Sequence, residues 1–251
     1  MQDRMGGFVV RARSIVRPSD YRGEEVLGVV ATQLAASGVS APEQRRILAD
    51  WIEFLRSAQT NIRELQFHSR VPQQLLDSIA GQLQLEALLV KWGPYRDVKS
   101  VGQLENLTTL RLGGATALES LSPLRGLHKL TTLAISEPFK VEDPATLSQF
   151  TALTSLMFGN DHPGSDRNVR IENLQWVTPL RDLRSLAIPG TTLANSDLSP
   201  LLELPHLEEL RLPLRRAYRA QVFDFAERSQ AFAQVAREYE GYESWRAASR
   251  R

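Results

Sequence analysis

The sequence predicts an α/β solenoid: a stack of short coils, each giving one strand to a parallel β-sheet on a concave face, with helical caps at both ends. Three observations predict it. The word LTTL at Leu107 returns at Leu130. Behind that word lies a wider pattern, an apolar residue followed by apolar residues three and five places on, and it occurs seven times. A second apolar series of period three runs nine, six and three residues ahead of four of the later copies.

The copies are Ile62/Leu65/Phe67, Leu85/Leu88/Val90, Leu107/Leu110/Leu112, Leu130/Leu133/Ile135, Leu153/Leu156/Phe158, Leu183/Leu186/Ile188 and Leu207/Leu210/Leu212. Their starts are 23, 22, 23, 23, 30 and 24 residues apart. The last two apolar residues of each copy alternate, so they point to one side of a short strand while the residues between them point to the other. The preceding series, Val98/Val101/Leu104 and its counterparts from Leu121, Leu174 and Leu198, suits a short 3₁₀-like or extended return arm. One such unit cannot bury its leucines alone. Stacked units can, because every strand pairs in parallel with its neighbours and the return arm closes the coil behind it.

The words LSPLRGLHKLTTL and LSPLLELPHLEEL resemble repeats of the bacterial short-repeat members of the leucine-rich repeat superfamily, internalin-type repeats in particular, in which S-P-L opens the return arm. The resemblance covers about residues 62–214. It implies a protein-binding scaffold and brings no catalytic residues with it. One departure stands out: the place that usually holds a ladder asparagine holds Arg70, Gly93, Ala115, Pro138, Asp161, Thr191 and Arg215. The turn amides and carbonyls must therefore find other partners.

An open solenoid would expose leucines at both ends, so caps are expected. Residues 1–60 form an N-terminal segment and cap, residues 61–215 the repeats, and residues 216–251 a C-terminal helical cap. In the first, Val26, Val29, Val30 and Leu34 and then Ile47, Leu48, Trp51, Ile52 and Leu55 recur at helical spacing. SGVSAPEQ between them supplies a glycine stop and a serine start, so two helices are predicted. In the last, Tyr218, Val222, Phe225, Phe232, Val235, Tyr239 and Tyr242 form an approximate helical stripe that would seal the final coil. GGFVVRARSIVRP near the N-terminus is β-prone and has no assigned role.

On the concave sheet the residues between the leucines face a ligand. The middle of that surface, with Thr109, Thr132, Ala134, Ser136, Ser155, Gly159, Ser185 and Ala187, is small or weakly polar. Leu89, Trp92 and Met157 are expected as exposed apolar contacts there. Trp92 has an alternative, to fold over its own coil edge in the turn KWGPYRD. The 30-residue repeat inserts about seven residues, within GNDHPGSDRNVRIENLQW, that should form an exposed loop on the binding face. The candidate partner-binding set is therefore Lys91, Trp92, Arg111, Thr132, Ser155, Met157, Asn160 and His162. Asp161, His162 and Asp166 invite a metal reading, but their spacing matches no calcium loop or zinc pattern, and a solvated loop is expected.

Composition narrows the function. The 251 residues are 42% hydrophobic, enough for a sizeable core. Thirty Lys and Arg balance 29 Asp and Glu, which argues against nucleic acid or an anionic membrane as the partner. The absence of cysteine removes thiolate nucleophiles, disulfides and thiolate metal sites and fits a reducing compartment. No stretch reads as a signal-peptide core or a membrane span, so a cytoplasmic protein is expected. Phosphate-loop, dinucleotide, zinc-protease and serine-hydrolase motifs are missing from the sequence. His128 and His206 occupy equivalent places in two repeats, which points to structure. The expectation is a non-catalytic recognition module of a bacterial sensing, defence or regulatory system, without cofactor or metal, that binds a protein partner on its concave face. The alternatives are an adaptor that uses its C-terminal helix and an enzyme with an unrecognised site.

Overall fold

The computed structural model describes residues 12–57, 59–162 and 164–249. Residues 6–11 of the β-prone N-terminal stretch lie outside them. Among the described residues, nine strands form one parallel sheet in chain order. They are β1 (Arg13–Ile15), β2 (Val26–Val29), β3 (Glu64–Arg70), β4 (Ala87–Trp92), β5 (Thr109–Leu112), β6 (Thr132–Ser136), β7 (Ser155–Gly159), β9 (Ser185–Ala187) and β11 (Glu209–Arg211). A second sheet of two strands, β8 (Val169–Ile171) and β10 (Thr191–Leu193), lies where two of the coils turn back. Helix α1 (Ala41–Ser57) and the short α2 (Gln73–Asp77) belong to the N-terminal half; α3 (Arg216–Ala226) and α4 (Gln230–Ala248) close the other end.

The leucine pattern sets the register. Leu65, Leu88, Leu110, Leu133, Leu156, Leu186 and Leu210 are paired strand to strand in one inward row. Phe67, Val90, Leu112, Ile135 and Phe158 form a second. All are buried, and the return-arm residues Leu121, Leu124 and Leu127 meet them from behind in the same core. The return arms are 3₁₀ segments, as at Ser122–Leu124 and Ser199–Glu203, both with proline in the first turn where its missing N–H leaves nothing unpaired. The chain has a leucine-rich repeat fold with helices at both ends.

The N-terminal end differs from the sequence expectation. Val26 to Leu34 do not form a helix. Val26–Val29 is a strand in which Leu27 and Val29 pair with Leu65 and Phe67, an additional coil that the repeat pattern hides because Glu24 stands where the first leucine belongs. Apolar residues at 26, 29, 30 and 34 fit a helical spacing by coincidence, whereas the branched valines favour the strand. Ile15 of β1 extends the inward row by one more place, against Val29. A Cβ at Gly28 of β2 would come within 2.7 Å of the His68 ring, so a larger residue there would displace that ring. Of the two predicted helices the second forms, as Ala41–Ser57; it buries Ile47, Trp51 and Leu55, and the Trp51 indole N–H donates to the Val16 carbonyl at 2.8 Å.

At the other end the predicted stripe divides between two helices. Tyr218, Val222, Phe225, Phe232, Val235 and Tyr239 are buried, while Tyr242 is exposed. Tyr218 ties the cap to the stack by accepting the Leu193 N–H at 3.1 Å, and the Tyr239 hydroxyl donates to the Arg215 carbonyl at 2.8 Å.

The missing asparagine ladder is replaced in two ways. Backbone bonds continue past the strand ends: Val71 N–H to Trp92 C=O, Ala115 to Ser136, Glu137 to Gly159, Asn160 to Pro189 and Ile188 to Arg211, all between 2.7 and 2.9 Å. Side-chain clamps then join return arms. Asp143 accepts the Leu121 N–H at 2.8 Å and the hydroxyls of Ser120 and Ser122 at 2.8 and 2.7 Å, all from the coil before its own. Burial would raise the Asp143 carboxyl, but these donors and Thr146 outweigh it and hold it below the ordinary carboxylate range.

Candidate functional site

The outward residues of the strands form two rows along the concave face. Gly28, Gln66, Leu89, Arg111, Ala134, Met157, Ala187 and Arg211 are in register in one. Glu64, Ala87, Thr109, Thr132, Ser155, Ser185 and Glu209 are in register in the other. A groove of about 1100 Å³ runs over the first row and on to the turns that follow β3 to β7. Its walls bring together Arg70, Lys91, Trp92, Pro94, Gly113, Gly114, Glu137, Asp161 and His162, with Leu89, Arg111, Ala134 and Met157 beneath.

Five of the eight sequence candidates line this groove: Lys91, Trp92, Arg111, Met157 and His162. Thr132 and Ser155 are half-buried in the other row and do not line it. Trp92 is 37% exposed in the groove wall, with the Arg70 guanidinium 5.7 Å from its ring centroid. Lys91 and His162 are exposed.

Two assignments are corrected. Met157 is not an exposed contact: it is buried with Ala134 and Ala187 as a small apolar cluster on the outer side of the sheet. Its neighbours in the row are alanines, too short to hold a flexible thioether upright, so the side chain packs on them. Asn160 is also buried, and its amide is used internally. It donates to the Ser165 hydroxyl at 2.9 Å and the Arg167 carbonyl at 2.6 Å and accepts the His162 N–H at 3.1 Å, which shapes the inserted loop. Arg167 then lies 3.8 Å over the Phe139 ring and holds that loop against the coil before it.

Sequence reasoning missed the groove's displacement toward the turns, and with it Arg70 and Glu137. Glu137 has φ of 58°, in the left-handed region, where the matching turn residues are Gly114 (φ 52°) and Gly190 (φ 53°). A glutamate at a place that otherwise takes glycine was the available signal. Also missed was a hydrogen-bond chain at the N-terminal end of the face. The Ser14 hydroxyl lies 2.8 Å from His68 Nδ1, His68 Nε2 lies 2.9 Å from the Gln66 amide oxygen, and the Gln66 amide donates to Glu64. Burial and then the nearby Lys91 lower the His68 pKa, so the ring is neutral at pH 7, with Nδ1 accepting from Ser14 and Nε2–H donating to Gln66 in the tautomer this network fits. Gln66 is thereby locked in the floor next to Leu89.

The sequence matches no family model and no curated protein. Among solved structures the chain is similar to internalin C2 from Listeria monocytogenes, with 21% identity and a TM-score of 0.43 over 65% of this chain and 74% of that one. An internalin, InlF, from the same species has 19% identity and a TM-score of 0.36, over 61% of this chain and 55% of that one. The plant peptide hormone receptor RGFR1, solved in complex with RGF2, has 18% identity and a TM-score of 0.44, over 64% and 26%. These are likenesses of fold. Among the described residues no helix is long and apolar enough to cross a membrane.

Proposed function

We propose that the chain is a non-catalytic recognition module that holds a protein partner in the groove at the turn side of its concave sheet. One observation carries the reading: an exposed tryptophan stands in the groove wall among the cations Arg70, Lys91 and Arg111, over a floor of short and apolar side chains. Aromatic and arginine side chains dominate interface energetics, and a low floor lets a partner approach them closely. The repeat resemblance and the absence of cysteine support a bacterial cytoplasmic setting in sensing, defence or regulation. A second reading, an adaptor that docks through α4, is favoured by Tyr242 and Trp245, which are 45% and 64% exposed and lie with ring centroids 6.0 Å apart.

The test is a pull-down from the native host, followed by affinity measurements on the recovered partner with Trp92→Ala, Arg111→Ala, Trp245→Ala and the return-arm control Thr178→Ala. Trp92→Ala should weaken binding by about 2 kcal/mol or more, roughly thirtyfold, as truncating a central anchor does. Thr178→Ala should change nothing. Parent-like binding by both groove variants with an intact fold overturns the groove reading, and a loss confined to Trp245→Ala transfers the contact to α4.

A further inference from the structure

The 30-residue repeat breaks the stack on its other side. Where the coils turn back, a backbone ladder passes from Arg96 to Glu119 to Glu142: the Glu119 N–H donates to the Arg96 carbonyl at 3.1 Å, and the Glu142 N–H to the Glu119 carbonyl at 3.2 Å. It resumes between Glu172 and Asn195, at 2.8 Å. Among the described residues no backbone hydrogen bond joins Glu142 to Glu172, and a cleft of about 1130 Å³ lies between the two coils there.

One wall of this cleft is the free edge of β8. The Val169 N–H donates to the Gly190 carbonyl and the Ile171 carbonyl accepts the Ala194 N–H, so those residues face β10. Alternate residues of a strand turn their polar groups to opposite sides, so the N–H and C=O of Arg170 face the cleft. The outer edge of β10 is closed by the C-terminal cap, because Leu193 N–H donates to Tyr218 and Arg215 Nε donates to the Thr191 carbonyl at 2.8 Å. Among the described residues the edge of β8 has no such cover. An uncovered strand edge is a template for a further strand.

Two further observations bear on what would add there. Trp176 lines the cleft at 7% exposure, and its indole N–H has no acceptor among the described residues, although buried indoles normally find one. At the rim, the exposed Glu142 and Glu172 carboxylates have neither an ion pair nor a hydrogen bond among the described residues, and Arg170 is the one cation of the described lining. Asp143 adds a further negative charge, its oxygens engaged by Ser120, Ser122 and Leu121.

We propose that this cleft is a second binding site, for an extended peptide segment with basic side chains, which joins β8 as an added strand between the Glu142 and Glu172 coils. The backbone pairing engages the Arg170 N–H and C=O left free on the edge of β8, and the alternating side chains place lysine or arginine against the two carboxylates. The site is separate from the concave groove and does not depend on the function proposed for it.

The probe is a fluorescein-labelled peptide of alternating valine and lysine, titrated with the full chain and read by anisotropy. A valine–glutamate peptide serves as the charge control, and two further probes carry N-methyl groups on the valine or on the lysine nitrogens. Saturable binding of the valine–lysine peptide is expected, with no binding of the valine–glutamate peptide. Methylation of one set should abolish binding and methylation of the other should leave it, because only alternate amides face a neighbouring strand. Arg170→Pro, which removes the free N–H while keeping the β10 ladder, should abolish binding, and the double variant Glu142→Gln, Glu172→Gln should weaken it at least tenfold. Circular dichroism confirms that each variant is folded, and the double variant decides the matter if Arg170→Pro is not. Trp92→Ala in the concave groove should bind like the parent. Failure of the valine–lysine peptide to bind, binding that survives loss of both carboxylates, or binding lost in Trp92→Ala overturns the proposal.

Discussion

The coil of β5 and the coil that carries β7 and β8 share one leucine pattern and differ in length, 23 residues against 30 to the next repeat start. In the first, strand and turn each bond to the coils on either side: Thr109 to Glu86 and Thr132 to Thr108 in the strand, Glu119 to Arg96 and Glu142 to Glu119 in the turn. In the second the strand still pairs on both sides, but the extra residues leave the stack as a loop held by Asn160 and Arg167 and re-enter as β8, with one edge unpaired. Inward leucines are thus sufficient for stacking, while continuity of the ladder depends on length. Where length changes, backbone groups become available to something else.

The largest expected effect lies in the regular stack. Leu133, fully buried between Leu110 and Leu156, should cost about 2–5 kcal/mol on change to alanine, since the rigid neighbours cannot close the cavity. Thr132→Ala, one residue away on the open face, should cost well under about 1 kcal/mol. Chemical denaturation measures both, and equal losses would mean that inside and outside are wrongly assigned.

Next comes the clamp beside the break. Asp143→Ala removes the acceptor of four donors from the preceding coil, the Leu121 and Ser122 N–H groups and the Ser120 and Ser122 hydroxyls, and should cost about 1–3 kcal/mol. Its carboxyl pKa is lowered in the folded chain, so the stabilisation is fully present above the unfolded value near about 3.9 and is lost as pH falls through it toward the folded value. Parent and Asp143→Ala denaturation midpoints should therefore begin to converge below about pH 4 and meet once pH falls below the folded value. A difference that persists there would assign the loss to packing.

The smallest effect concerns the turn. Glu137→Gly relieves a left-handed backbone at a place where Gly114 and Gly190 already sit, and should stabilise by up to about 1 kcal/mol. If the same change weakens partner binding, the strained glutamate belongs to the groove contact.

The parts of the fold legible in the sequence were those with a chemical signature at fixed spacing: the inward rows through Leu110, Leu133 and Leu156, the S-P-L return arms, and α1 behind Ser40. The coil of β2 was hidden because Glu24 replaces its opening leucine, while Val26, Val29, Val30 and Leu34 happen to fit a helical spacing. At the groove, Lys91 and Arg111 were legible from strand alternation, His162 from the insertion, and Trp92 from its aromatic chemistry beside the turn. Met157 was misread because exposure of an outward residue depends on its neighbours across the sheet, here Ala134 and Ala187, each more than twenty residues away in sequence. The clamp by Asp143 and the open edge of β8 are both contacts between coils, which no single repeat displays.

Amide hydrogen exchange, resolved by residue, tests most directly whether the stack is continuous on its sheet and broken on the turn beside it. The amides of Leu133 and Leu156 in the sheet, and those of Glu119, Glu142 and Asn195 in the ladder, should be protected, while those of Arg170 and Glu172 exchange rapidly. Protection of Arg170 and Glu172 equal to that of Glu142 and Asn195 would contradict the break and the open edge together.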